Sequence, residues 1–386
     1  MDMVTTTAEL AAACSRLAKA DYVTIDTEFI RETTYWPLLC LAQLGGPDEA
    51  LAVDALAEGL DLTPLFELMV DTNTLKVFHA GRQDVEIFYH LAGAVPTPMF
   101  DTQVAAMVCG FGDSAGYETL VSKLTGESLD KHSRFTDWRQ RPLTDRQLKY
   151  ALGDVTHLRV VYEKLSATLQ ETGRESWVTE EMAVLTSPDT YSSHPEEAWK
   201  RLKIRSSERR FLGIVRELAA WRDREAQSRD LTRNRILRDE VLMGIAAHPP
   251  SDTTELGAIR GVSKGFADSK GGKTLLVAVA DALAIPDADL PKRKRNKPPA
   301  ASVGPTMDLL KVLLKMKCET HGVAPKMVAS GSDLEQIASG NGVSTRAMTG
   351  WRHEIFGADA VRLVSGEIAL GAGLGAGVQV FERPPK

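Results

Sequence analysis

The chain has 386 residues, 43% of them hydrophobic and 25% charged, with a formal charge of −6. That balance predicts a globular protein of two or three domains, each long enough to build its own core. No run of eighteen apolar residues occurs and the opening "MDMVTTTAEL" has neither a basic nor a long apolar region, so neither a transmembrane helix nor a signal peptide is expected. The four cysteines, Cys14, Cys40, Cys109 and Cys318, are scattered without a CxxC pair. That argues against a zinc site or a disulfide framework and suits a reducing cytosol.

In chain order, the first informative stretch is "YVTIDTEFI", residues 22 to 30. Its alternation predicts a strand with Val23, Ile25, Thr27 and Phe29 on one face and Thr24, Asp26 and Glu28 on the other. Acids two apart on a strand sit roughly 6–7 Å apart at Cα, close enough to repel unless a cation or proton intervenes. These nine residues alone fit either a solvent-facing edge strand or half of a metal site. "LLCLAQL" (38–44) is apolar on both faces, which predicts a doubly covered strand, and "EALAVDAL" (49–56) predicts its hairpin partner across Gly45, Gly46, Pro47 and Asp48. "TPLFELMV" predicts a helix opened by Pro64, "LKVFHA" (75–80) a short strand, and "DVEIFYHLAG" a helix ending at Gly93. Asp84 falls in the first turn of that helix, where any acid suits the helix dipole. The order predicts an α/β domain on a mixed sheet.

A further helix is signalled at "LTDRQLKYALGDVTHLRVVYEKL", where Thr144 and Gln147 form a capping box. Leu148, Ala151, Leu152, Val155 and Leu158 make its apolar stripe, with Tyr150 and Asp154 one turn apart beside it. Gly153, costly within a helix, suggests close packing against the backbone. Taken alone, a tyrosine at this spacing is ordinary half-buried packing.

From about residue 200 the chain becomes helical. Thirteen basic residues between 200 and 240 oppose seven acids, a local excess of +6 on a body of −12. That fits a phosphate-binding surface, or equally a solvated helix laced with ion pairs. "ADSKGGKT" (267–274) imitates a phosphate loop but lacks the preceding strand, and reads as a turn into a helix. "PDADLPKRKRNKPPAASVGP" (286–305) reads as a basic linker, and the glycine-rich end "ALGAGLGAGVQVFERPPK" gives no functional reading.

"DTEF" on a first strand, "HAGRQD" at a strand-to-helix junction and "YALGD" on a later helix resemble the three exonuclease motifs of the DEDD superfamily, in its DEDDy branch. "DTEFIRETTYWPLLCLAQL", "FDTQVAA" and "LDKHSRFTDWRQRPLTDRQLKYALGDV" resemble the ribonuclease D family in detail, and the later helical segments resemble its HRDC domains. The resemblance implies a ribonuclease H-like exonuclease domain, a mixed sheet flanked by helices, at residues 1–172. A connecting segment (173–205) would follow, then a first all-α HRDC-like domain (206–286), a basic linker (287–304), a second all-α HRDC-like domain (305–370) and a glycine-rich tail (371–386). It implies that Asp26, Glu28, Asp84 and Asp154 hold two divalent cations, Mg²⁺ or Mn²⁺, and that Tyr150 orients the attacking water.

By the same resemblance, Asp26 would bridge both ions, Glu28 and Asp154 would complete the nucleophile-side ion, and Asp84 would hold the second through water. Phe29, Arg31, Tyr35, Trp36 and His79 are candidate wall residues for the RNA, and Arg134, Trp138, Arg139 and Arg141 could guide the strand. Each could equally be ordinary packing or surface. The implied activity is metal-dependent trimming of single-stranded 3′ ends of tRNA precursors and other small structured RNAs, releasing 5′-mononucleotides in the cytoplasm. No membrane or obligate protein partner is expected. The rival readings are a single-stranded DNA exonuclease with the same acids, or a non-catalytic RNA-binding protein.

Overall fold

The structure is a computed structural model and describes residues 3–128, 136–292, 303–373 and 377–384. The chain opens with β1 (Met3–Val4) and α1 (Thr7–Leu17), the latter started by a reciprocal cap between Thr6 and Glu9. Next come β2 (Tyr22–Ile30), β3 (Leu38–Gly45), β4 (Ala50–Val53), α2 (Thr63–Val70) and β5 (Leu75–Phe78). They are followed by α3 (Arg82–Ala92), β6 (Met99–Asp101), α4 (Thr102–Val108), α5 (Tyr117–Thr125), α6 (Asp145–Thr172) and α7 (Glu175–Leu185).

Six strands form one sheet in the order β1-β4-β3-β2-β5-β6. β3 and β4 are antiparallel, whereas β2–β5, β5–β6 and β1–β4 are parallel. This is the mixed sheet expected of a hairpin followed by alternating helices and strands. The strand bearing the two acids lies inside the sheet, between β3 and β5, so the solvent-facing edge alternative is excluded. Seven of the eight residues of β3 are buried, as a doubly covered strand requires. The strand predicted over 75–80 stops at Phe78, because His79 and Ala80 turn the chain toward α3, and Ala80 adopts a left-handed φ of 53°.

By contacts, the chain divides into one unit of residues 1–28, 39–190 and 296–386 and another of residues 29–38 and 191–295. The second unit contains α8 (Arg209–Ser228), α9 (Arg233–Ile236), α10 (Asp239–Ala247), α11 (Thr253–Ala258), α12 (Lys264–Asp268) and α13 (Lys270–Ala284). Its core gathers Leu218, Leu242, Ile245 and Leu275 together with Tyr35. The basic run turns partly inward. Arg209 and Arg210 bond carbonyls between residues 282 and 290, Arg222 is buried against Leu237 and Asp239, and Arg233 pairs with Asp223. Arg201, Lys203, Arg205, Arg224 and Arg229 stay exposed. Ser269 caps α13, so the phosphate-loop imitation is helix and turn, as read.

Within the first unit, residues 303–365 form α14 (Val303–His321), α15 (Pro325–Val328), α16 (Gly331–Ala338), α17 (Gly350–Arg352) and α18 (Ala358–Ser365). Their Leu310, Leu313, Trp351 and Phe356 share one apolar cluster with Leu165, Leu169, Val178 and Met182 of α6 and α7. Trp177 and Trp351 stack with ring centroids 4.1 Å apart and planes 5° from parallel. Buried Arg352 reaches Glu180, Glu181 and the Met327 carbonyl.

The expectation of an all-α region to residue 370 followed by a glycine-rich tail is corrected in that strands occur in both. β7 (Ile368–Gly373) and β8 (Gly377–Glu382) form an antiparallel hairpin. Gly371 is needed there because a Cβ would run into the Phe381 ring of the facing strand. Most of the basic linker lies outside the described residues.

Candidate active site

β2 presents Thr24, Asp26 and Glu28 on one face, and α6 packs over it, with Thr24 Oγ1 donating to the Val155 carbonyl at 2.8 Å. That contact sets Asp154 above the strand. Carboxylate oxygens of Asp26, Glu28 and Asp154 lie within 4.8 Å of one another. At an effective dielectric near 20, each such pair of charges repels by about 3 kcal/mol. Burial, followed by the charges of Asp154, Asp84 and Glu28, holds the Asp26 carboxyl well above its ordinary pKa. Three oxygen-only ligand residues from two elements, costly without a positive charge between them, fit a hard divalent cation.

Asp84 occupies the first turn of α3 and is buried. Its carboxylate accepts the Thr27 hydroxyl, and burial raises its pKa to about 6. It stands outside the three-acid group but close enough for its charge to bear on Asp26. The turn that delivers it is fixed by Asp101, whose carboxylate accepts the amides of Ala80 (3.1 Å), Gly81 (2.9 Å), Gln103 (2.8 Å) and Val104 (3.3 Å). One side chain thus caps α4 and closes the "HAG" turn. A Cβ at Gly81 would strike Phe78, which explains glycine there.

Tyr150 lies one turn before Asp154 on α6 and donates its hydroxyl to that carboxylate. Burial and the charges of Asp154, Glu28 and Asp26 push its phenol pKa above the ordinary value. The phenol therefore stays protonated at neutral pH. Trp138, 3% exposed, packs near it with ring centroids 6.2 Å apart. Tyr117 donates to the Asp154 backbone carbonyl and pins that turn of the helix. Among the described residues the close packing expected at Gly153 is not found: a Cβ there would meet the His157 ring at 3.9 Å.

The other predicted binding residues are dispersed. Tyr35 is 6% exposed; Arg233 covers its ring at 4.6 Å and its hydroxyl bonds Asp223 at 3.1 Å. It has no open face on which a base could stack. Phe29 and Arg31 are half-buried, and Arg31 bonds the Tyr35 carbonyl at 3.3 Å. Trp36 packs edge-on against Tyr35.

Arg141 clamps Asp54 and the carbonyls of Cys40 and Trp138. Its donors are spent on architecture rather than directed at a strand. Arg139 pairs with Asp137, and Arg134 lies outside the described residues. His79 Nδ1 meets Thr102 Oγ1 at 3.0 Å, Nε2 is buried, and burial lowers the ring pKa to about 4. It packs, neutral and partly buried, against Tyr117.

Sequence reasoning gave no role to Thr27, Asp101 or Tyr117. Asp101 sits in the quoted "FDTQVAA", where an acid just before a helix signals a cap.

A family model described as a 3′-5′ exonuclease matches residues 1–170, and one described as an HRDC domain matches residues 211–279. The chain is 52% identical over 382 residues to ribonuclease D of Nitrobacter hamburgensis, covering 98% of this chain and 99% of that protein. It is also 52% identical to ribonuclease D of Granulibacter bethesdensis, covering 96% of this chain and 94% of that one. Among solved structures, Escherichia coli RNase D, described as an exoribonuclease involved in structured RNA processing, superposes with a TM-score of 0.79 at 30% identity. That match covers 95% of this chain and 98% of the other.

Proposed function

The chain belongs to the ribonuclease D family of 3′-5′ exoribonucleases, and from that premise we propose that it trims the single-stranded 3′ ends of tRNA precursors and other small structured RNAs. The observation that carries this reading is the convergence of Asp26, Glu28 and Asp154 within 4.8 Å, with Asp84 bearing on them and Tyr150 bonded to Asp154. When bound, two divalent cations, Mg²⁺ or Mn²⁺, would supply charge stabilisation for the attacking and leaving oxygens. Asp26, on which the charges of the other three acids all bear, would help hold the ions. Glu28 and Asp154 would complete one site, and Asp84 would contribute to the second. Tyr150 donates a hydrogen bond to Asp154, which leaves its oxygen to accept from the attacking water and aim it. The products would be 5′-mononucleotides.

The helical regions would supply affinity. Residues 206–286, which hold the stretch matched by the HRDC family model, would act as one HRDC-like domain and residues 305–370 as a second. Exposed Arg201, Lys203, Arg205, Arg224 and Arg229 suit sequence-independent, salt-sensitive phosphate contacts. No helix among the described residues is long and apolar enough to cross a membrane, and all four cysteines are free, which supports a cytoplasmic location.

The test is a 3′-labelled tRNA precursor incubated with Mg²⁺, with Mn²⁺ or with chelator, beside single-stranded DNA. Stepwise trimming of the RNA that stops in chelator is expected. Asp26→Asn should lower turnover by roughly a thousand-fold or more while leaving RNA affinity intact, because it removes charge where two cations are held. Full turnover in chelator would end the reading.

A further inference from the structure

One buried polar side chain is unused by this chemistry. Gln43, on β3, is 0% exposed, and neither its Oε1 nor its Nε2 has a hydrogen-bond partner. An amide buried that way carries a desolvation cost with no hydrogen bond to offset it. An apolar residue, such as Leu41 on the same face, would avoid that cost.

Its neighbour follows from the strand register. Thr24 Oγ1 on β2 donates to the Gly45 carbonyl at 3.1 Å, and a Cβ on Gly45 would run into that hydroxyl and into Val155 of α6. Thr24 and Gly45 therefore lie side by side on the face covered by α6. A parallel pairing at this register would separate Ile30 from Leu38 by roughly 43 Å. The eight peptide steps between those residues reach at most about 29 Å. The strands are therefore antiparallel, and two residues onward from Thr24, opposite two residues back from Gly45, Asp26 faces Gln43. Side chains alternate with period two, so both project toward α6. Directly opposed residues hold their Cβ atoms about 4.5–5.5 Å apart.

We propose that Gln43 is a positioning residue for the metal centre, its amide N–H donating to the Asp26 carboxylate when that carboxylate is ionised between cations. The inference rests on the metal-dependent reading above and deepens it. Carboxylates that hold metals are themselves oriented by hydrogen bonds from surrounding groups. A neutral donor fixes the carboxylate without bringing a positive charge that would compete with the cations. Lysine would compete for the site, and glutamate would add a further negative charge.

The test titrates Mn²⁺ alone into the full-length wild type and Gln43→Met, reading free Mn²⁺ by electron paramagnetic resonance, with melting temperatures measured in chelator. Gln43→Met is expected to bind Mn²⁺ about ten-fold more weakly. Its melting temperature in chelator should be no lower than wild type, since the amide it loses has no partner. On RNA, kcat should fall with KM unchanged. Mn²⁺ affinity equal to wild type would overturn the proposal, and so would weaker affinity accompanied by a lower melting temperature, which would make Gln43 a structural residue. If Gln43→Met does not fold, Gln43→Asn, whose amide is one methylene too short, is held to the same criteria. Wild-type protein that binds no Mn²⁺ would instead defeat the metal-dependent reading itself.

Discussion

The two helical regions close their cores in different ways. Residues 209–284 gather Leu218, Leu242, Ile245 and Leu275 in a core whose described members fall within residues 29–38 and 191–295. Residues 303–365 place Leu313, Trp351 and Phe356 in a cluster that also holds Leu165, Val178 and Met182 of the exonuclease helices. An amphipathic helix buries its stripe against whichever apolar face is available, so a segment appended in sequence need not be appended in structure. The C-terminal helices are part of the body that carries the metal site.

That contrast can be broken most directly in the shared core. Trp351→Ala removes one half of the Trp177–Trp351 stack and should cost about 3–5 kcal/mol. Hydrogen exchange should show the loss in α6 as well as in α14; a loss confined to α14–α18 would mean that the cores are separate after all.

The matching cut in the other region is Leu242→Ala, a wholly buried side chain of α10. It should cost about 2–5 kcal/mol. Exchange should quicken in α8, α10 and α13 while α6 keeps its protection.

Mn²⁺ sharpens the same division without mutation. Binding only the folded site stabilises by about 2.7 kcal/mol at a hundred-fold excess over Kd. Added protection should therefore appear in α6 and α14 and be absent from α10.

The smallest effect is the pH dependence of that protection. The Asp84 carboxyl is raised to about 6, and that of Asp26 is also raised, by burial and its acidic neighbours. A cation must displace these protons, so the Mn²⁺ effect should shrink as pH falls from 7 to 5. In the metal-free chain Asp84 acts the other way. Its folded pKa lies above its unfolded value, so its contribution to stability is full below the ordinary carboxylate pKa and is lost as pH rises through about 6. Calorimetry of the chelated protein across pH 4–7, with Asp84→Asn as reference, would separate the two; a Mn²⁺ shift that grew on acidification would contradict this linkage.

Much of the site is legible in short stretches of sequence because it is local. Asp26 and Glu28 share a strand face by alternation, and Tyr150 and Asp154 share a helix face by spacing. The cap at Thr144 and Gln147 marks where that helix begins. The binding candidates whose surroundings the sequence did not foretell are those whose partners are remote. Tyr35 looked like an aromatic wall until Asp223 and Arg233, nearly two hundred residues on, claimed its hydroxyl and ring. Arg141 looked like a strand guide until Asp54 and the Cys40 carbonyl took its guanidinium. The glycine-rich tail carried too weak an alternation to announce a hairpin, which depends on Gly371 making room for Phe381.

Sequence by itself determined the acids, the tyrosine and the elements that carry them, because alternation, capping and helical spacing act over a few residues. Only the tertiary structure decided that Asp154 comes to rest over Asp26, that Asp101 closes the turn delivering Asp84, and that the last helices share the exonuclease core. Those outcomes depend on which buried surfaces and hydrogen-bonding groups meet across long stretches of chain, and no local pattern encodes that meeting.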